Sequence, residues 1–174
     1  MTGQMRRGAR GHAPGGVRSS VTWAVMCLAI AVAALTWLLP HQRDFFDFRI
    51  YWAATHSWLS GDPLYSFEKP GTTLGFTYPP FAGLVLAPFS FFPVTVAAWV
   101  LCGISLAVLV GVAMAIGAAM SRALRLPRLP TVVAVLALSL GIEPVRESLS
   151  FGQINIVLLG LMVLDMWLIA RRSA

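Results

Sequence analysis

The sequence predicts an all-α membrane protein, and three observations predict it. First, 57% of the 174 residues are apolar and 11% are charged, with a mean hydropathy of +0.76. Soluble domains carry about 25% charged residues, so a soluble fold of this composition would lack polar surface, and a disordered chain is excluded by the same numbers. Second, the apolar residues fall in long runs, and roughly 20 of them cross a bilayer. Third, 13 Lys and Arg against 7 Asp and Glu leave a charge of +6, and the bases flank the apolar runs. That pattern reads as orientation control by positive-inside bias, not as a nucleic-acid surface. No nucleic-acid motif accompanies it. The length leaves room for four or five membrane helices and one sizeable loop, and for no second domain.

The elements follow in order. Residues 1–19 hold Arg6, Arg7, Arg10 and Arg18 among Gly, Ser and Pro, and read as a flexible basic cytoplasmic tail. Residues 20–174 form a single transmembrane domain. Its first span, about 21–39, carries Trp23 and Trp37 near its ends as interfacial anchors. A cleaved signal peptide is the rival reading, but Pro40-His41-Gln42 offers no small-residue cleavage pattern. Residues 40–78 are the long polar stretch, with Phe45, Phe46, Phe48, Tyr51, Trp52 and Trp58 interleaved among charges. No Gly or Pro interrupts Asp44 to Leu59, which predicts a helix stopped by Gly61-Asp62-Pro63. Its aromatics put it at the membrane surface. Residues 70–75 read as a loop. The apolar run 79–92 is broken by Pro88 and closed by Pro93, so it is either a short span or a re-entrant helix. The remaining spans are about 95–120, 131–142 and 154–170. Small residues such as Gly103, Gly111 and Gly117 suit the first of these to close packing. Cys27 and Cys102 lie inside apolar runs and read as small hydrophobes.

Charge bias chooses between the crossings. If 79–92 is re-entrant there are four. Arg122, Arg125, Arg128, Arg171 and Arg172 then join the basic tail inside, while Asp44, Asp47, Asp62, Glu68, Glu143 and Glu147 lie outside. If it spans, there are five and the Arg122–Arg128 loop is outside. The four-crossing version is preferred.

Three segments could carry chemistry. In Asp44-Phe-Phe-Asp47-Phe-Arg49-Ile-Tyr51-Trp52 the helical spacing puts Asp44, Asp47 and Tyr51 on one face. A carboxylate there could act as general base on a hydroxyl, or the two acids could pair with Arg43 and Arg49. In Phe76-Thr77-Tyr78-Pro79-Pro80-Phe81 the prolines hold Tyr78 extended at the entry of the apolar run; a plain helix start is the alternative. Glu143-Pro144-Val145-Arg146-Glu147, followed by Gly152-Gln153-Ile154-Asn155, sets ionisable groups beside membrane spans, either as a site or as an ion-pair cluster. Asp165 in the last span either faces the bundle or reaches toward Arg171, and the second is preferred. His12, His41 and His56 are scattered and no Cys-x-x-Cys occurs, so no metal set is expected. No Walker or Gly-x-Gly-x-x-Gly loop is present, so no nucleotide cofactor is expected either.

Taken in order, Asp47-Phe-Arg-Ile-Tyr51-Trp, Gly61-Asp-Pro-Leu-Tyr65, Phe76-Thr-Tyr-Pro-Pro80-Phe, Glu143-Pro-Val-Arg-Glu147 and Gly152-Gln-Ile-Asn155 resemble glycosyltransferase family 87. These are the polyprenol-phosphate-mannose-dependent α-1,2-mannosyltransferases. The resemblance covers about residues 40–172. It implies a GT-C-type polytopic helical bundle in the plasma membrane, multi-pass, with a cytoplasmic N-terminus. It implies a polyprenyl-phosphate-mannose donor and a lipid-linked mannoside acceptor, met among membrane lipid on the outer face, with no cofactor. Asp47 matches the family's catalytic carboxylate after the first span. Tyr51, Tyr78, Glu143, Arg146, Glu147, Gln153 and Asn155 are the implied substrate-binding residues, with Arg146 and Gln153 facing Asp47 and aiding the leaving phosphate. Family members are longer, so the chain is expected to be a truncated or split product whose missing C-terminal half is a possible partner. A non-catalytic scaffold or partner subunit retaining part of the fold is the other expectation.

Overall fold

A computed structural model describes residues 15–38 and 44–172. Within them the regular structure is helical, apart from an isolated antiparallel bridge between Glu68 and Gly75 that closes off the loop expected at 70–75. Helix α1 is Gly15–Leu38, α2 Phe46–Leu59, α3 Pro80–Leu86, α4 Val94–Leu124, α5 Arg128–Gly141, α6 Glu143–Phe151 and α7 Asn155–Arg172. The helix α1 begins at Gly15, inside the segment expected to be tail; residues 1–14 lie outside the described residues.

Local chemistry explains the breaks. Helix α2 does not start at Asp44. Asp44 and Phe45 have φ of 49° and 53°, the left-handed region, so the helix begins only at Phe46. That turn is held by Arg49, whose Nε donates to the Asp44 carbonyl (2.8 Å) and whose Nη2 pairs with Asp44 Oδ1 (3.1 Å). Asp44 therefore leaves the face that Asp47 occupies. Pro80 sits in the first turn of α3, where its missing N–H costs nothing. At Ala87 the helix tightens into a 3-10 segment, Ala87–Phe91, that turns back onto α2. Trp52 Nε1 is within hydrogen-bond distance of the carbonyls of Phe89 (3.1 Å) and Phe92 (3.2 Å), which ties the return to α2.

The core near α2 joins Phe48, Ala54, Leu86, Ala97, Leu101 and Ile154. It therefore unites α2, α3, the first turns of α4 and the entry of α7. Elsewhere helices meet at small residues. Ala29 and Ala33 of α1 pack on Ala137 of α5, and Gly117 of α4 lies against the Val132 backbone of α5. A Cβ at Gly117 would come 2.8 Å from Val132 Cα, which only glycine avoids. Thr22 lines the same cavity as Thr131, while Gly141 packs on Ala33, so α1 and α5 run parallel. Helix α4 runs antiparallel to α5: Gly117 meets Val132, and Leu109 clusters with Leu136 and Leu140.

Among the described residues α4 alone is long and apolar enough by itself to cross a membrane. Helices α5 and α6 meet that test only together, and they bend by 67° between them. The bend falls at Gly141-Ile142, where Ile142 is extended and Pro144 opens α6. Four or five separate spans are thus more than helix length and composition deliver. Helices α4, α5 and α7 lie over the apolar runs 95–120, 131–142 and 154–170.

Candidate active site

The site is built where α2 meets the α6–α7 junction. Gly152 ends α6 in the left-handed conformation (φ 71°, ψ 43°), a glycine C-cap. A Cβ there would come 2.7 Å from Phe48 Cβ. The bare backbone lets α2 press against the junction. The Phe45 N–H donates to the Ser150 carbonyl (3.0 Å), and the Gln153 N–H to the Ser148 carbonyl (2.8 Å). These contacts aim Gln153 at α2.

Gln153 Nε2 donates to Asp47 Oδ2 at 2.6 Å, across 106 residues of sequence. Asn155 Nδ2 donates to Gln153 Oε1 at 2.8 Å, and Ser148 Oγ lies 3.5 Å from the same oxygen. The amide of Gln153 is therefore oriented: carbonyl toward Asn155, amine toward the carboxylate. Asp47 makes no ion pair with a described residue, and its Oδ1 accepts no hydrogen bond among them. It is the free carboxylate of the pair; Asp44 is the paired one.

Beside it stand two tyrosines. The Tyr51 and Tyr78 rings are 4.8 Å apart, and Phe76 packs edge-on against both. Tyr51 is buried, and its hydroxyl shares a hydrogen bond of 3.1 Å with Thr77 Oγ1. Tyr51, expected among the substrate-binding residues, packs against Tyr78 with most of its own surface covered. Tyr78 is partly exposed. Burial chiefly, then the neighbouring Tyr51 and the charge of Asp47, push its hydroxyl up to about 12. It remains a protonated donor at any ordinary pH, next to Asp47. The carbonyl of Tyr78 accepts from the Tyr65 hydroxyl (2.9 Å), so Gly61-Asp-Pro-Leu-Tyr65 serves to hold this turn.

The other expected residues divide. Arg146 is buried in α6, with Nη2 lacking a hydrogen-bond partner among the described residues. No ion pair links it to Asp47. Glu143 is exposed in the first turn of α6, and Glu147 is half-buried one turn on. The structure brings together Asp47, Tyr78, Gln153 and Asn155; it does not bring Glu143 to the carboxylate. Thr77, Ser148 and Gly152 were missed as contributors, although Thr77 and Gly152 lie inside the singled-out motifs. Asp165 is exposed on α7, and Arg171 stacks on Trp167 at 3.9 Å, so the expected reach from Asp165 to Arg171 is not made.

A helical bundle rich in exposed apolar side chains, with an oriented carboxylate beside aromatic walls, defines the class: a helical membrane protein. Comparison with known proteins names the family. The family model for glycosyltransferase family 87 matches residues 76–174, and the chain belongs to that family. The match includes Tyr78, Arg146, Gln153 and Asn155 and begins beyond Asp47. The chain is 31% identical over 163 residues to the polyprenol-phosphate-mannose-dependent alpha-(1-2)-phosphatidylinositol mannoside mannosyltransferase of Mycobacterium tuberculosis. That covers 83% of this chain and 38% of the relative. It is 33% identical over 145 residues to the corresponding phosphatidylinositol pentamannoside mannosyltransferase of Mycolicibacterium smegmatis, covering 78% of this chain and 34% of that one. The chain thus spans little more than a third of the length of the curated relatives it matches. No solved structure matches it.

Proposed function

We propose that this chain carries the acceptor-activating site of a mannosyltransferase using a polyprenyl-phosphate-mannose donor. The observation that carries the reading is the Asp47–Gln153 contact, with Asn155 behind it. An acceptor hydroxyl at Oδ1 gives its proton to Asp47 as its oxygen attacks the anomeric carbon. The bond from that carbon to the donor phosphate breaks, and polyprenyl phosphate leaves. Gln153 keeps Oδ2 occupied, so the free oxygen faces the acceptor. Tyr78, protonated, can donate to the sugar or to the departing oxygen. Arg146 is the reserve cation for the phosphate, since its buried Nη2 lacks a partner among the described residues. The acceptor is a lipid-linked mannoside and the linkage α-1,2, by analogy with the relatives' names.

Four crossings and an outer-face site fit the geometry best. Residues 80–91 start and finish against α2, as a re-entrant segment does, and α1 runs parallel to α5. Five crossings would make those two antiparallel. The site lies by the first turns of α4, whereas Arg122, Arg125 and Arg128 lie around its last. With the arginines inside, the carboxylate is outside.

The test is mannosyl transfer in membranes of a host lacking family homologues, with the chain alone and with the downstream reading frame co-expressed. Asp47→Ala should lower transfer by about 10²-fold or more, the usual worth of a general base. Transfer that survives Asp47→Ala with inserted protein would sink the proposal. No transfer in any combination would favour the scaffold reading.

A further inference from the structure

The far end of the bundle holds a second feature, independent of the transferase reading. A cavity of about 750 Å³ lies between the N-terminal half of α1, the last turns of α4 and the first turns of α5. Its walls include Val21, Val25, Met120, Leu124, Val135 and Leu138, all apolar. Arg125, in left-handed conformation at the end of α4, also lines it. Arg122 and Arg128 sit on either side of Arg125 in sequence, and all three are exposed. None of the three forms an ion pair with a described residue. Along α4, Ala98 in the α2 core and Leu124 at the cavity are 26 residues apart, or about 40 Å at 1.5 Å per residue. The cavity is therefore at the opposite end from Asp47.

We infer that this groove binds one anionic phospholipid, its acyl chain between α1, α4 and α5 and its phosphate at Arg125 with Arg122 and Arg128. Two halves of the site call for two halves of one ligand. The apolar walls flank a helix long enough to cross a membrane, so a hydrocarbon chain fills them without loss of solvation. Arg122 lies in the last turn of that helix, Arg125 caps it and Arg128 opens α5, and Arg matches phosphate oxygens in paired geometry. Basic pockets between membrane helices recognise anionic headgroups in this way. A partner helix with an apolar face would fill the groove and leave the arginines uncompensated. A soluble anion would meet the arginines and leave the walls bare.

The experiment uses the full chain, purified in detergent and equilibrated with mixed micelles of phosphatidylglycerol or phosphatidylcholine of the same acyl chains. Retained lipid is counted by native mass spectrometry after washing. We expect one phosphatidylglycerol per chain and at least tenfold less phosphatidylcholine. Arg122→Gln/Arg125→Gln/Arg128→Gln should lower phosphatidylglycerol retention tenfold or more. Val25→Trp, which fills the groove from an exposed wall and leaves the arginines, should do the same. Melting of each variant in phosphatidylcholine checks that it is folded, and the comparison of the two lipids on the unaltered chain stands without any variant. Equal retention of both lipids overturns the inference. So does undiminished phosphatidylglycerol binding by folded Val25→Trp, which would reduce the effect to attraction by a basic loop, or displacement by glycerol phosphate alone, which would remove the acyl chain from recognition.

Discussion

Replacing Gly152 by alanine tests the packing on which the carboxylate site depends. Gly152 has φ 71°, and an L-residue held there costs about 1–2 kcal/mol. The added Cβ would stand 2.7 Å from Phe48 Cβ and 3.3 Å from Phe45 Cδ1. Neither Cβ nor a residue held by the Ser150 carbonyl yields easily, and overpacking of this kind costs about 1–3 kcal/mol. The smaller unfolded-state entropy of alanine returns about 0.4–1 kcal/mol. The net loss is about 2–4 kcal/mol, or about 4–16 °C in melting temperature for a chain of this size. Tryptophan fluorescence on heating in detergent reads it. Gly103→Ala is the control: nothing lies within 4 Å of its Cβ position in α4, and a helix-interior alanine should match or slightly exceed glycine. Gly152→Asn tolerates the left-handed backbone and keeps the clash, so it should lose less than alanine and more than nothing. Melting of Gly152→Ala within about 1 °C of the unaltered chain would refute the reasoning, because the strain and the contact would then both be absorbed at no cost.

Three further outcomes are expected. Tyr78 titrates near 12 in the folded chain against 10 unfolded, so above pH 10 the unfolded chain loses the proton first. Stability from this group is complete below pH 10 and is lost as pH rises toward 12; a Tyr78→Phe chain lacks that part of the alkaline slope, and identical slopes would contradict it. Thr55→Val leaves the buried Ser90 hydroxyl without its 2.8 Å partner and should cost about 1–3 kcal/mol, much of it recovered in Thr55→Val/Ser90→Ala by denaturant unfolding. Asn155→Leu frees the Gln153 amide to turn its carbonyl toward Asp47, so mannosyl transfer should fall several-fold in kcat with little change in KM; unchanged kcat would remove Asn155 from the site.

The candidate site was partly legible. Asp47 could be singled out as an acid after an apolar run, and Gln153 and Asn155 as polar residues at a membrane edge. The alternative role, pairing with a neighbouring arginine, turned out to belong to Asp44, through a left-handed turn that helical spacing cannot reveal. Aromatic and hydroxyl groups mark sites and packing alike, and how far Tyr51 is covered depends on Phe76 and Thr77, which arrive from a different segment. Arg146 and Glu143 share a motif, yet one is buried and the other exposed, since α6 shows only one side to its neighbours.

Composition and the run lengths of apolar residues determined the helical membrane class, the positions of α4, α5 and α7, and the breaks at Pro, because these depend on solvation and on backbone rules that act within a few residues. Only the tertiary structure decided that α1 lies parallel to α5, that residues 80–91 fold back on α2, and that Gln153 meets Asp47 across 106 residues. Those are outcomes of how small residues such as Ala29, Gly117 and Gly152 let backbones approach, and the fit of one helix face to another is a property of the assembled surfaces, not of either segment alone.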